Sequence, residues 1–200
     1  MKKPFDKIIN PILLFQQWLD EAAQSEINDP GAMCLASATP EGKPSARMVL
    51  LKGVDESGFK FHTNTDSQKG LEIAANAQVA LCFHWKSLRK QVRVEGIIQV
   101  IDAAEADTYF ASRPYKRQIG AWASKQSRVL ESREDLETRI AEFEEKFKGG
   151  DVPRPDDWAG YRIVPKTIEF WQDNPDRLHD RFVFTRGGDG TWGETVRLYP

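Results

Sequence analysis

The chain has 200 residues, and its 40% hydrophobic and 29% charged content excludes a disordered or collagen-like protein. Its formal net charge of -2 gives no general attraction for nucleic acid or for an anionic membrane, so any anion site must come from a local cluster of lysines and arginines. The apolar runs are far shorter than the ~20 residues that cross a bilayer, and Pro4 and Asp6 interrupt the segment in which a signal peptide would continue. We therefore expect a cytoplasmic protein that has no membrane or nucleic-acid partner.

The first half of the chain predicts two helices and five strands. Asn10 and Pro11 are typical of a helix start, and apolar residues at helical spacing continue to about residue 24. Ser67 can cap a second, short helix that runs through Ala75. The short polar connections between the strands imply antiparallel neighbours. The predicted strands are residues 32–39, 45–54, 59–63, 79–85 and 91–101.

The second half predicts two more helices and four strands. Asp102 opens one helix, which must stop before Pro114, and Ser132 opens another, which ends at Gly149. Residues 118–127 are rich in amides and hydroxyls and are read as a polar loop, and the strands are residues 161–164, 167–171, 181–185 and 195–198. No repeat or long linker divides the chain. We therefore predict that residues 1–200 form a single domain, an antiparallel barrel that is mainly β with flanking helices. The C-terminal strands, of about residues 161–200, complete it.

Three familiar motifs are excluded by their context. Gly188 to Gly193 matches GxGxxG, but no helix can follow in the seven remaining residues, so a glycine-rich hairpin turn is favoured. The histidines share no ligand spacing, so no metal site is predicted. Cys34 and Cys82 lack the CxxC pattern and are expected to be buried thiols in a reducing compartment.

Several cations lie where they could bind a phosphate. Arg47 and Lys52 flank a four-residue apolar run and could reach a phosphate beside a flat ligand, although two solvated strand-end charges are the favoured reading of this motif alone. Lys69 stands at a predicted helix start, where free N–H groups also attract anions, but a simple N-cap explains it equally well. Tyr109 and Arg113 share a helix face, either to bind one phosphate or to pack on each other.

A C-terminal run carries three potential cations at alternate positions. Alternation in a strand would send Arg177, His179 and Arg181 to one side. Such a group is unfavourable unless an anion or an electron-rich ring lies among the charges. Neutralisation by neighbouring aspartates is the alternative, and it stays open. Those aspartates are Asp173, Asp176 and Asp180.

Five segments, taken in order, resemble the pyridoxine/pyridoxamine 5'-phosphate oxidase family. The resemblance implies an FMN-binding split β-barrel and a homodimer with two flavin sites at the interface, each built from both chains. It implies oxidation of pyridoxamine or pyridoxine 5'-phosphate to pyridoxal 5'-phosphate, with hydride transfer from C4' to flavin N5 and dioxygen as the final acceptor that yields hydrogen peroxide. The segments are Arg47–Lys52, Gln91–Gly96, Gln118–Ser127, Glu169–Gln172 and Arg177–Arg181.

The resemblance also implies roles for particular residues. The substrate phosphate would be bound by Lys52, Tyr109 and Arg113, with Arg117 on the same side. Arg177 and His179 would be the catalytic pair that closes over the pyridine ring and also binds the substrate. Because flavin carries the redox chemistry, no protein nucleophile is expected. FMN would be held by Arg47, Met48, Val49, Leu50, Leu51, Lys52, His62, Thr63, Gln68, Lys69, Gln91, Gln126, Ser127, Trp171 and Arg181.

Three positions depart from the family pattern, which usually has Tyr at His62, Arg at Gln68 and Ser at Arg117. Loss of a guanidinium at Gln68 would weaken binding of the flavin phosphate by ~1.5–3 kcal/mol unless another group compensates. Two alternatives follow from the same residues. One is an oxidase of the same barrel type that acts on another heteroaromatic ring, such as a phenazine precursor. The other is a protein that binds FMN or pyridoxal phosphate without turnover.

Overall fold

A computed structural model describes residues 10–200, so Pro4 and Asp6, on which the signal-peptide reading depends, lie outside the described part. The first helix, α1 (Pro11–Ser25), begins as the sequence predicts, because the Asn10 side chain accepts hydrogen bonds from the N–H groups of Ile12 (2.8 Å) and Leu13 (3.3 Å). Its apolar face is buried on the sheet. Phe15 lies with its ring centroid 4.8 Å from those of both Phe59 and Phe83.

Nine strands within residues 10–200 form one antiparallel sheet, which confirms the predicted mainly β fold. The main path runs β2-β1-β5-β6-β7-β4-β3, while β8 pairs with β7 and β9 pairs with β8. The strands are β1 (Ala32–Ala38), β2 (Pro44–Leu50), β3 (Gly53–Asp55), β4 (Gly58–Asn64), β5 (Gln78–Trp85), β6 (Lys90–Val100), β7 (Trp158–Gln172), β8 (Asp180–Thr185) and β9 (Val196–Leu198).

The longest strand, β7, divides the sheet. It pairs with β6 along its length, whereas its other edge pairs with β4 only from Trp158 to Ile163 and with β8 only from Thr167 to Gln172. The sheet therefore splits at the middle of β7 into two branches. The predicted break between residues 164 and 167 is wrong, because β7 passes Pro165 through a bulge opposite Glu95 and Gly96 without ending.

The remaining helices flank the sheet: α2 (Gln68–Ala75), α3 (Ala103–Ala111), α4 (Tyr115–Ala123) and α5 (Arg133–Lys146). Side chains of Ser67, Asp102 and Ser132 cap α2, α3 and α5, as predicted. The reading of residues 118–127 as a loop is wrong for its first part, which belongs to α4. This helix packs on α5 around a second apolar cluster that includes Phe110, Ile119 and Trp158.

Of three further local predictions, the glycine-rich turn is confirmed, whereas one predicted strand and the burial of the cysteines are not. The strand predicted over residues 45–54 is interrupted, because the N–H of Leu51 bonds Gly31 (2.8 Å) and that of Lys52 turns to Lys60 (2.8 Å). The glycine-rich segment is a turn, closed by a bridge between Arg186 and Trp192. Both cysteines are free thiols, but they are half-buried instead of buried. Within residues 10–200, no helix combines the length and apolar character needed to cross a membrane.

Candidate functional site

Two adjoining cavities lie at the start of β7. One, of about 460 Å³, is lined by Thr63, Gln126 and residues of α4, and the other, of about 350 Å³, is lined by Lys52, Tyr109 and neighbouring residues. They share a wall made by His62, Arg113, Arg117 and Trp158. We call the five residues His62, Tyr109, Arg113, Arg117 and Trp158 the Trp158 cluster. Among the described residues that line either cavity, none is acidic.

His62 forms the centre of the shared wall. Its ring is stacked between Tyr109 (centroids 4.1 Å apart, planes at 13°) and Trp158 (4.9 Å, 11°). Neither ring nitrogen is reached by solvent, and neither has a hydrogen-bond partner in the described part of the chain. Burial lowers the pKa of His62 to about 4, so the ring is neutral near pH 7.

The cations around this wall have no carboxylate partner among residues 10–200. The guanidinium of Arg113 lies 5.0 Å from the Trp158 ring and 5.3 Å from the Phe110 ring, and its Nη1 is buried with no hydrogen-bond partner within residues 10–200. Burial lowers the pKa of Arg113 below its ordinary value. Lys52 and Arg117 line the same 350 Å³ cavity. Cations of this kind are suited to bind an anion.

A buried lysine lies at the start of α2, behind the larger cavity. Lys69 is 8% exposed, and its Nζ donates to Thr63 (3.1 Å), Ser67 (3.1 Å) and Gln126 (2.8 Å), all of which are neutral. Burial lowers the pKa of Lys69, the Arg47 charge lowers it further, and the Glu72 charge opposes both. A buried ammonium without a carboxylate in contact fits a phosphate group.

Arg47 is engaged differently from the sequence-based expectation. Its Nη2 lies 3.1 Å from Glu72 Oε2, and its Nη1 donates to Ser37 (2.6 Å). Gln68 also turns to Glu72, with Nε2 2.9 Å from Oε1. Burial alone would raise the pKa of Glu72, but hydrogen bonds from Ser37, Ser45, Gln68 and Arg47 bring it to about 2. Glu72 was missed because Ser37, Ser45 and Arg47 lie on other elements, although its position four residues after Gln68 on the same helix was a usable signal.

The run Arg47–Lys52 presents two faces. Val49 and Leu51 pack against the core, while Met48 (64% exposed) and Leu50 (39% exposed) point outward. Thr63 also donates to Gln126 (3.1 Å), whereas Ser127 lies in the exposed loop after α4 with a left-handed backbone, φ +67°. No group of three histidine, cysteine, aspartate or glutamate side chains in residues 10–200 is arranged to hold a metal ion.

A second group of predicted residues lies at the far end of β7. Gln91, Trp171 and Arg181 are direct neighbours across β6, β7 and β8. His179 lies beside Trp171, with ring centroids 4.6 Å apart. We call these four residues the Trp171 cluster. Arg181 makes two contacts with Glu169, at 2.9 and 3.1 Å, and the Glu169 hydrogen bond raises its pKa.

The predicted alternation of Arg177, His179 and Arg181 is wrong. Residues Pro175–Arg177 form a 3-10 turn, in which Asp176 (φ +58°) and Arg177 (φ +60°) have left-handed backbone conformations, and β8 begins only at Asp180. Arg177 is exposed on this turn. His179 Nδ1 lies 2.8 Å from Asp173 Oδ1, so one of the three aspartates that the sequence offered as neutralising partners does contact His179.

The two clusters cannot meet within one chain. Trp158 and Trp171 are the first and the penultimate residues of the strand β7. At about 3.3 Å per residue, the strand between them is roughly 40 Å long. A small ligand that contacts both clusters would therefore have to lie between two chains.

Two family models together match most of the chain. Residues 19–147 match the model described as pyridoxamine 5'-phosphate oxidase. Residues 158–200 match the model described as the pyridoxine 5'-phosphate oxidase C-terminal dimerisation region. The second match begins with β7 and contains the whole C-terminal branch of the sheet.

Curated relatives are similar over nearly the full chain. The pyridoxine/pyridoxamine 5'-phosphate oxidase of Mesorhizobium japonicum is 55% identical, with 98% of this chain and 95% of the relative covered. The oxidase of the same name from Rhodospirillum rubrum is 57% identical, with 96% of each chain covered.

Among solved structures, PhzG from Burkholderia lata 383, in complex with tetrahydrophenazine-1-carboxylic acid, is similar with a TM-score of 0.92 and 31% identity, over 100% of this chain and 98% of that one. A pyridoxamine 5'-phosphate oxidase-related, FMN binding protein from Nostoc punctiforme is similar in fold, with a TM-score of 0.76 and 14% identity over 97% of this chain and 100% of that one.

Proposed function

The chain belongs to the pyridoxine/pyridoxamine 5'-phosphate oxidase family, and we propose on that basis that it is an FMN-dependent enzyme that oxidises pyridoxamine and pyridoxine 5'-phosphates to pyridoxal 5'-phosphate. One observation carries the proposal. Cations that have no carboxylate partner in the described part of the chain lie at both cavities, with Lys69 behind the larger one and Lys52 and Arg113 at the smaller one. Two phosphorylated molecules would give each of these charges a partner.

The larger cavity fits the phosphate of FMN. Lys69 is already desolvated and held by neutral oxygens, so binding an anion there carries little further desolvation. Thr63 and Gln126 would bind beside it. Arg47 would contribute less than the resemblance implies, since Glu72 neutralises it, and Gln68 offers only an amide. The exposed side chains of Met48 and Leu50 would lie against the flat ring system, while Val49, Leu51 and Ser127 would contribute backbone groups.

The smaller cavity fits the phosphate of the substrate. Lys52, Arg113 and Arg117 supply positive charge, and Tyr109 supplies a hydroxyl. The stacked rings of Tyr109, His62 and Trp158 exclude water from the wall between the two phosphates. Binding energy from this remote phosphate would fix the position of the substrate ring against the flavin.

A second copy of the chain would complete each site. The match of residues 158–200 to a dimerisation region indicates a homodimer. In our proposal the Trp171 cluster of one copy approaches the Trp158 cluster of the other, so that Gln91, Trp171 and Arg181 reach the flavin while Arg177 and His179 close over the pyridine ring. The length of β7 supports this arrangement, because one chain cannot bring both clusters to one ligand.

The chemistry that bound FMN supplies is acceptance of a hydride from C4' at N5 and reoxidation by dioxygen, with release of hydrogen peroxide. The residues of the chain orient the substrate and exclude water, and none is needed as a nucleophile. We also propose that residues 1–200 act as one unit in the cytoplasm, without nucleic-acid or membrane partners. The two free cysteines and the net charge of -2 support that assignment.

A second candidate function comes from the similarity to PhzG, whose structure contains tetrahydrophenazine-1-carboxylic acid. An oxidase of such a tricyclic ring would need to bind only one carboxylate. The smaller cavity instead gathers Lys52, Arg113 and Arg117, which suits a phosphate dianion better.

The proposal can be tested with the FMN-loaded protein under nitrogen. Addition of pyridoxine 5'-phosphate should bleach the flavin absorbance, and admission of air should restore it with formation of hydrogen peroxide. Pyridoxine without the phosphate serves as the matched control and should react far more slowly. A flavin that stays oxidised with both phosphorylated substrates would overturn the proposal, and bleaching by a tetrahydrophenazine carboxylate alone would favour the second candidate.

A further inference from the structure

Asp173 makes the shortest polar contact of His179. Its Oδ1 lies 2.8 Å from His179 Nδ1, and both side chains are largely shielded, with 14% and 20% exposure respectively. This contact belongs to the turn between β7 and β8. The resemblance identifies His179 but gives Asp173 no role.

The carboxylate is itself held in place by the turn between β5 and β6. The Arg89 guanidinium pairs with Asp173 Oδ2, and the Asp173 backbone N–H donates to the Arg89 carbonyl (3.0 Å). Oδ1 is therefore left to face the imidazole. Because the backbone bond is independent of the side chain, the turn retains this attachment when Asp173 is substituted.

The contact decides which nitrogen of His179 carries the proton. A carboxylate oxygen at 2.8 Å would repel a bare lone pair, so it favours a hydrogen on Nδ1. The Asn174 N–H, at 3.3 Å from the same nitrogen, would favour the opposite tautomer. The nearer partner is negatively charged and prevails, which leaves Nε2 as a hydrogen-bond acceptor.

We propose that Asp173 is a positioning residue, which fixes the orientation and the Nδ1–H tautomer of His179 and so presents Nε2 to the bound substrate. This inference rests on the proposed function, in which His179 closes over the pyridine ring. The flanking contact with Trp171 (4.6 Å between ring centroids) restricts the plane of the imidazole, and Asp173 sets its rotation within that plane. The substrate group that donates to Nε2 is the hydroxyl or amine on C4'.

Three variants separate positioning from a general effect of charge. Asp173→Asn keeps an oxygen acceptor for Nδ1–H, whereas Asp173→Ala removes it. Asp176→Asn is the matched control, because Asp176 lies in the same turn and has no hydrogen bond or ion pair to another side chain in the described part of the chain. Its left-handed backbone conformation also suits asparagine.

Two measurements on the FMN-loaded protein test the proposal. The ¹⁵N shifts of His179, recorded where its ring is neutral, should show the Nδ1–H tautomer in the native protein and in Asp173→Asn, and a shift toward Nε2–H in Asp173→Ala. The kcat with pyridoxine 5'-phosphate should fall roughly ten- to a hundredfold in Asp173→Ala, by loss of orientation, and recover substantially in Asp173→Asn. Asp176→Asn should match the native protein in both measurements.

The same tautomer in the native protein and in Asp173→Ala would overturn the inference, as would an unchanged kcat. Because the tautomer is read without turnover, this result is independent of the proposed function. A protein that shows the predicted tautomers but does not oxidise pyridoxine 5'-phosphate would refute the function and leave the role of Asp173 toward His179 standing.

Discussion

Trp158 and Trp171 lie at opposite ends of one strand, β7, and each gathers a different set of ligand-binding candidates around it. The Trp158 end carries the two adjoining cavities and Arg113, whose Nη1 has no hydrogen-bond partner in the described part of the chain. The Trp171 end carries an aromatic and amide surface with an adjacent histidine. Because β7 pairs with β6 along its length, the distance between these sets is fixed by the sheet.

Replacement of Lys69 should weaken cofactor binding without destabilising the protein. Lys69→Met removes the positive charge on α2 that would bind the flavin phosphate directly. We therefore expect the free energy of FMN binding to weaken by about 1.5–3 kcal/mol, which is a ten- to hundredfold rise in Kd. The free protein should be at least as stable as the native one, because a buried unpaired charge is removed. Fluorescence titration with FMN measures the first effect. Lys125→Met, an exposed lysine in the loop after α4, should leave the affinity unchanged.

Removal of the Glu72 carboxylate should change the dependence of stability on pH. The folded protein holds the pKa of Glu72 at about 2, against an ordinary 4.5, so this group stabilises the fold above pH 4.5 and ceases to do so as the pH falls toward 2. At neutral pH the free energy of unfolding of the native protein should exceed that of Glu72→Gln by about 3 kcal/mol. Urea unfolding between pH 2 and pH 7 should show this difference shrinking on acidification. A difference that is constant with pH would contradict the assignment.

Replacement of His62 should have the opposite consequence for stability. The pKa of His62 is lowered from 6.5 to about 4, so the unfolded chain binds a proton in this range while the folded protein does not. The native protein therefore loses up to about 3 kcal/mol of stability between pH 7 and pH 4 through this group. His62→Phe keeps the ring stack and removes the titration, so its advantage over the native protein should grow on acidification. Equal slopes of stability against pH would show that His62 is not buried in this way.

The two phosphate sites should respond separately to substitution. Arg113→Ala and Lys52→Ala should each raise the KM for pyridoxine 5'-phosphate by roughly ten- to a hundredfold, the value of one charge-assisted contact of ~1.5–3 kcal/mol. The affinity of Arg113→Ala for FMN should change little, because in our proposal Lys69, and not Arg113, binds the flavin phosphate. Lys148→Ala, at an exposed position after α5, is the control and should match the native protein. An unchanged KM in both variants would refute the substrate-phosphate assignment.

Local signals in the sequence were sufficient for the elements that begin with a cap. Asn10 and Ser132 mark helix starts by hydrogen bonds to residues that follow directly, and these starts were predicted correctly. The interruption after Leu50 was not predictable in this way, because it occurs where the chain stops pairing beside β1 and begins to pair with β4. The helix α4 was missed since its amides and glycine suggested a loop, whereas its stability comes from packing on α5.

The resemblance named candidate site residues but not how they are arranged. The resemblance supplied Lys69, Arg113 and His179, yet it did not show that Glu72 neutralises Arg47 or that Asp173 contacts His179. Both contacts join residues on different elements, so no spacing rule reveals them. The separation of the two clusters depends on β7 continuing past Pro165, and a proline there suggested two strands instead.

The central claim, that each site combines the Trp158 cluster of one copy with the Trp171 cluster of another, is tested most directly by mixing two impaired variants and assaying them at a substrate concentration well below the native KM. Arg113→Ala damages one cluster and His179→Ala the other, so half of the randomly formed dimers should carry one intact site and the mixture should regain roughly a quarter of native activity. A mixture of Arg113→Ala with Lys52→Ala, which both damage the smaller, substrate-phosphate cavity, should show no gain over the separate variants. Activity in the first mixture that does not exceed the sum of the separate variants would contradict the shared site.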